Sequence, residues 1–348
     1  LQGATLICNG WFVTESRTIK SHSGNTLSYD AIWADPSAGP RVRRNYYVTG
    51  KLSLLTQQKE WHYENGTLYF WQEGGGSPSG VEYKARNWGF DLRGKSYINV
   101  VGLTFKGCDP VTGDDNTNYN TVYNIRATFT NHNVRHDVWR WQGVGMTRQM
   151  GLKLTGRGNV LKNSEISWSA SGAVWIGVDG RIENNLIHHV GYDASFCYGV
   201  DLWGEDNVNN VVITRNTVHT TSRGCFGMGY MFTEFDHRRS LNKEISYNDC
   251  YNWGLLNQDG GAIYAWGYQY HTGTRIHHNW FHDAGYKANP LGIILDGIQV
   301  AVYFDQGSGP FTVDHNVFWG NCENLTQDAS DVYDQQSFNG GAGGARNN

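Results

Sequence analysis

From residue 96 onward the chain alternates short apolar runs with polar turns, and the turns recur in phase. Eight segments align without gaps on Gly102, Asn133, Asn163, Asn185, Asn216, Asn248, Asn279 and Asn316, at intervals of 31, 30, 22, 31, 32, 31 and 37 residues. Three residues before this position stand Val160, Ile182, Ile213, Ile245, Ile276 and Val313. Two residues after it come Ile187, Val218, Cys250, Phe281 and Phe318, and three after it His136, His188, His219, Tyr251, His282 and Trp319. An apolar residue, a polar turn ending in Asn and a second apolar residue describe a chain bending between two strands. Asn tolerates the left-handed backbone such a bend requires. A period of roughly 20–40 residues means that each unit stacks on its neighbours. Helical periodicity and capping signals are missing between the turns, which argues against leucine-rich and helical solenoids. Coils of three short strands, stacked about 4.8 Å apart, make a right-handed parallel β-helix. A propeller is the weaker fit, because it needs four antiparallel strands and hairpin turns in each repeat. Ile182, Ile213, Ile245, Ile276 and Val313 are expected to form one buried ladder. Asn216, Asn248, Asn279 and Asn316 are expected to form a ladder of stacked amides.

The first 95 residues lack this period. Trp61 to Trp71 reads WHYENGTLYFW, two β runs around Asn65-Gly66, and that dipeptide is a strong hairpin signal. The organisation expected is an antiparallel β module over 1–95 and a β-helix over 96–348. The boundary lies near the run Gly74 to Gly80 or slightly after it, and the tail from Asn339 to Gly344 is expected to be loosely ordered.

Composition narrows the function classes. In 348 residues, 39% are hydrophobic and 17% charged, which describes a globular chain. The net charge of -4 carries no basic stripe, so neither nucleic acid nor a membrane surface is an expected partner. No apolar run approaches the roughly 20 residues that span a bilayer. The 14 Trp and 20 Tyr serve chiefly as β-core filling, and aromatic faces also make platforms for sugars. The six cysteines, at 8, 108, 197, 225, 250 and 322, contain no CxxC zinc spacing. One or two disulfides are compatible with them. Asn65-Gly66-Thr67 and Asn324-Leu325-Thr326 are glycosylation sequons. The chain opens on Leu1-Gln2-Gly3, which reads as a processed start. A secreted, monomeric protein is the expectation.

Four segments then follow in a characteristic order: Asp259-Gly-Gly-Ala-Ile-Tyr264, Arg275-Ile-His-His-Asn279-Trp-Phe-His-Asp283, Val302-Tyr-Phe-Asp305-Gln-Gly and Thr312-Val-Asp-His-Asn316. This order resembles the right-handed β-helix glycoside hydrolases, such as families 141 and 120 and their relatives. In those proteins a DAGAIY-like segment and an IYLDD-like segment lie one coil apart, and a β module is inserted near the N-terminus. The resemblance implies a carbohydrate substrate of plant type and catalytic carboxylates at Asp259 and Asp305. Gln306 stands where the relatives often carry a second Asp.

Glycoside hydrolysis uses two carboxylates, one to protonate the leaving oxygen and one to attack or to activate water. Asp259 and Asp305 lie in neighbouring coils, break the repeat and sit near glycines. Each could equally cap a turn through an Asx hydrogen bond. Asp201 in GVDLWG, Glu234 in FTEFDH and Asp296 in GIILDG are the secondary acids. Trp203, Tyr264 and Trp266 are candidate cleft aromatics, although a stacked aromatic ladder accounts for them as well. His237, followed by two arginines, is a candidate sugar contact. The histidines at 136, 188, 219 and 282 share one repeat position, which reads as a packed ladder and not as converging metal ligands. Asp109, Asp114, Asp115 and Asn116 make an oxygen-rich stretch without EF-hand spacing. A solvated turn is expected there, calcium is the minor alternative, and no cofactor is otherwise implied. A polysaccharide lyase on the same fold needs a basic group and positive charge around a uronate. The 28 Lys and Arg are scattered, which favours hydrolysis. A non-catalytic sugar-binding solenoid is the third reading.

Overall fold

The computed structural model describes residues 1–9, 14–30, 46–132, 150–202, 208–230, 240–257, 260–266, 270–285, 299–305, 308–320, 326–327 and 337–339. Among these, three parallel sheets of nine, nine and eight strands run the length of the stack. The first sheet passes from Trp88–Asp91 and Asp109–Thr112 up through Tyr198–Asp201, Gly224–Tyr230, Gly260–Trp266 and Gln299–Asp305. The chain turns from it into the second sheet, then the third, and rises to the next coil. A separate four-stranded antiparallel sheet joins Thr5–Asn9, Thr14–Ser23, Thr26–Tyr29 and Tyr46–Thr49. The hairpin Trp61–Glu64 to Thr67–Phe70 turns on Asn65 and Gly66, both with positive φ, 50° and 80°, as an Asn-Gly hairpin requires. No helix among the described residues is long and apolar enough to cross a membrane.

The interior is one continuous apolar cluster. Ile182, Ile213, Ile245, Ile276 and Val313 stand in parallel register, each 0–4% exposed. Beside them the amides of Asn185, Asn216, Asn248, Asn279 and Asn316 form the expected ladder. Each Nδ2 donates to the next Oδ1 at 2.9–3.0 Å, and the same Oδ1 accepts the neighbour's backbone N–H. Asn248→Ala therefore strips the acceptor from the buried Asn216 N–H. The expected loss is at least about 1–3 kcal/mol of unfolding free energy. An unchanged denaturant midpoint would show the ladder to be dispensable.

Two sequence expectations shift by a residue. The ladder asparagines are not the left-handed residues. The positions just before them are, namely Asn184, Arg215, Tyr247, His278 and His315, with φ of 53–57°. Gly102 and Asn163 are left-handed themselves, φ 69° and 49°, and belong to that earlier position. Their backbone N–H groups, like those of Asn124 and Asn184, bond the carbonyl one coil up. The ladder position of the Asn163 coil is thus Ser164, and its inward residue is Leu161, paired with Ile182. The second coil turns at Asn124 and Ile125; Asn133 lies outside the described residues.

Cys225 and Cys250 are bonded inside the core. On the third sheet the rings of His188, His219, Tyr251, His282 and Trp319 stack with centroids 4.0–5.0 Å apart. This is a packing ladder; His136 lies outside the described residues. Burial, with His188 and His189 adding to it, pushes His219 down to about 4.

Candidate active site

Strand alternation decides what faces outward on the first sheet. Val302 and Phe304 lie in the core, so Tyr303 and Asp305 face out; Ile263 and Ala265 lie in the core, so Tyr264 faces out. The Tyr264 hydroxyl donates to Asp305 Oδ2 at 2.7 Å. Around them lies an aromatic cluster on the outer face. Phe196, Tyr198 and Tyr303 approach Tyr264 with centroids 5.2–6.2 Å away. The buried Arg223 guanidinium sits 3.7 Å from the centre of the Phe196 ring and 4.9 Å from that of Tyr264, and its Nε donates to the Tyr198 hydroxyl at 2.9 Å. Glycines beneath the cluster leave room for it. A Cβ on Gly224 or Gly227 would lie 2.7 or 2.6 Å from the Tyr198 ring, and one on Gly227 would also lie 2.8 Å from Asp201 Oδ1.

Tyr264 is only 5% exposed, and its hydroxyl is committed to a carboxylate, so its role in this geometry is to hold Asp305. Tyr264→Phe removes one hydrogen bond to a charged acceptor, with about 1.5–3 kcal/mol of stability expected to go with it. Thermal and urea unfolding of the variant measure this, and a change below about 0.5 kcal/mol would mean that the bond contributes nothing.

Register sorts the predicted acids by strand end. Asp305 closes its strand opposite Trp266, which pairs with Tyr230. Gly260, bonded to Asp259, pairs with Gln299 six residues back along the same strands, roughly 20 Å away. Asp259 itself lies outside the described residues. The expected approach of Asp259 to Asp305 within about 10 Å therefore also falls outside the described residues. Asp201 is buried, 1% exposed, and is separated from the Asp305 strand by the two strands Gly224–Tyr230 and Gly260–Trp266. That makes roughly 14 Å along the stack, also long for a pair. Glu234, His237, Asp296 and Trp203 lie outside the described residues, as does the Trp266 side chain. In the chain, Glu234 follows Tyr230 by four residues and Asp296 precedes Gln299 by three.

The oxygen-rich stretch does not converge. Asp114 Oδ1 accepts from the Gly94 and Asn116 N–H groups and from Thr117 Oγ1 at 2.9–3.0 Å. Asp109 is buried with Oδ1 on the Asn131 N–H at 2.5 Å, and burial pushes it up to about 6 against that bond. No group of three or more His, Cys, Asp or Glu among the described residues is placed to hold a metal ion.

An all-β solenoid of three parallel sheets with an outward cluster of tyrosine, arginine and carboxylate defines the class as a parallel β-helix protein. The family model for the right-handed β-helix region matches residues 150–339, and the chain belongs to that family. A solved structure titled "Glycoside hydrolase" shares the fold with a TM-score of 0.59 at 12% identity, over 94% of this chain and 68% of its own. No curated protein matches the sequence. Sequence reasoning missed Arg223, Tyr198 and Phe196. The one available signal was Arg223 standing directly before the glycine that opens a core-forming strand.

Proposed function

We propose that this protein hydrolyses glycosidic bonds of a plant-type polysaccharide or oligosaccharide at the corner where the first sheet ends, with Asp305 as one of two carboxylates. The observation that carries this reading is an outward carboxylate fixed by a tyrosine hydroxyl beside an aromatic cluster. The shared fold with a structure titled glycoside hydrolase supports it, as does the resemblance to families 141 and 120. Of the remaining acids, Glu234 is the partner best supported by strand end, ahead of Asp259. Separation decides the stereochemistry, about 5–5.5 Å for retention and about 6.5–9.5 Å for inversion. The buried disulfide fits an oxidising compartment and so supports secretion.

The test is a polysaccharide panel read for reducing ends and for the ultraviolet absorbance of unsaturated products. Reducing ends alone support hydrolysis. Unsaturated products would make the protein a lyase, and binding without products would make it a non-catalytic solenoid. On a cleaved substrate, Glu234→Gln is expected to lose activity while Asp259→Asn keeps most of it; the reverse result would restore Asp259 as the partner.

A further inference from the structure

The aromatic cluster behind Asp305 is built around a buried cation. Arg223 is 0% exposed, and the centre of its guanidinium lies 3.7 Å from the middle of the Phe196 ring, 4.9 Å from that of Tyr264 and 5.9 Å from that of Tyr198. Its Nε donates to the Tyr198 hydroxyl at 2.9 Å. Glycines make the slot it occupies. Gly224 pairs with Tyr198, and Gly227 pairs with Asp201 on one side and Tyr264 on the other. Tyr198 and Tyr264 thus stand two coils apart, roughly 10 Å. Their rings nevertheless come to 6.1 Å, within 15° of parallel, because the strand between them carries no side chain at either position. One coil further up, a Cβ on Gly260 would lie 3.3 Å from Arg223 Cγ.

Sealed from solvent, Arg223 can act on a substrate only through another side chain. What it touches leads to Asp305. The Tyr264 ring receives the guanidinium on its face, and the Tyr264 hydroxyl donates to Asp305 Oδ2 at 2.7 Å. A cation held by the electrons of an aromatic face draws density from the phenol and makes its hydroxyl a stronger donor. A hydrogen bond donated to a carboxyl and a positive charge nearby both favour the ionised form, and buried charges are screened little. Among the described residues, the other ionisable groups packed on this point are Tyr198, Asp201 and Tyr303. They stay the same when Arg223 is changed, so a difference between parent and variant isolates Arg223.

We propose that Arg223 is the positioning residue of this site: through the ring and hydroxyl of Tyr264 it aims Asp305 and sets the pH at which that carboxyl ionises. The effect on turnover rests on the hydrolase reading, whereas the effect on the Asp305 carboxyl does not.

The first readout needs no substrate. The carboxyl-carbon resonance of Asp305, assigned by its loss in Asp305→Asn, is followed against pH. Arg223→Met keeps a long side chain and removes the charge, and the midpoint is expected to rise by about one pH unit. Tyr264→Phe removes the donor and is expected to raise it as well. Arg223→Lys, which keeps a cation, is expected to raise it less than Arg223→Met. The second readout is turnover on a glycan that the parent cleaves. Arg223→Met is expected to lower kcat about 10²-fold, the cost of a misaimed group, with KM nearly unchanged. The limb of the pH profile that matches the Asp305 midpoint is expected to move with that midpoint. A kcat loss with the limb unmoved would be a packing effect and would overturn the proposal, as would an unchanged midpoint in Arg223→Met or in Tyr264→Phe. If Arg223→Met fails to fold, Tyr264→Phe decides alone, because Arg223 acts through that hydroxyl. A parent that cleaves no glycan ends the hydrolase reading and leaves the carboxyl titration to decide the proposal.

Discussion

Asp305→Asn is expected to lower turnover on any glycan the parent cleaves by about 10²–10⁴-fold, the usual contribution of a positioned acid or base. Unfolding should shift little, because asparagine keeps an acceptor for the Tyr264 hydroxyl at 2.7 Å. The carboxylate ends its strand on the outer face, 8% exposed, so the substitution changes charge at the site without opening the core. A kcat loss with KM nearly unchanged would place the carboxylate in the transition state and not in ground-state binding. Near-normal turnover would make Asp305 a structural cap and move the chemistry to other acids.

The second large effect is on stability. Ile245→Ala is expected to cost about 2–5 kcal/mol, the range for truncating a buried aliphatic residue. Ile245 is 0% exposed and lies between Ile213 below and Ile276 above in parallel register. Neighbouring coils are held in place by ladders on three sheets, so the cavity can collapse only partly. The loss should fall toward the upper part of that range. A change under about 0.5 kcal/mol, the size of an ordinary surface effect, would show that the residue is not part of the core.

The isoleucine and asparagine ladders were legible because inward positions of a solenoid repeat the same chemistry in every coil. Phase was harder to read in the early coils. Gly102 and Asn163 are residues that suit either the left-handed corner or the amide ladder, and the corner position also takes Arg215, Tyr247 and His278, which carry no turn signature. The hairpin at Asn65-Gly66 was legible because its signal is local. The outward cluster was not. Phe196, Tyr198, Arg223 and Tyr264 meet only when three successive coils stack in register, and no spacing along the chain encodes that. The pairing of Asp259 with Asp305 followed from coil adjacency and from the resemblance to the β-helix glycoside hydrolases. Strand ends decide whether adjacent coils bring two side chains together, and the register pairs Gly260 with Gln299 and Trp266 with Asp305.

The most direct test of the account is a structure of the Asp305→Asn protein with an uncleaved oligosaccharide that the parent hydrolyses. The prediction is that the sugar lies at the end of the first sheet, with its scissile oxygen within hydrogen-bonding reach of residue 305 and with the chain near Glu234 on its other side. A sugar seated elsewhere would contradict it, most plainly one in the groove lined by Leu103, Ile125 and Leu186, where the early coils turn from the second sheet to the third.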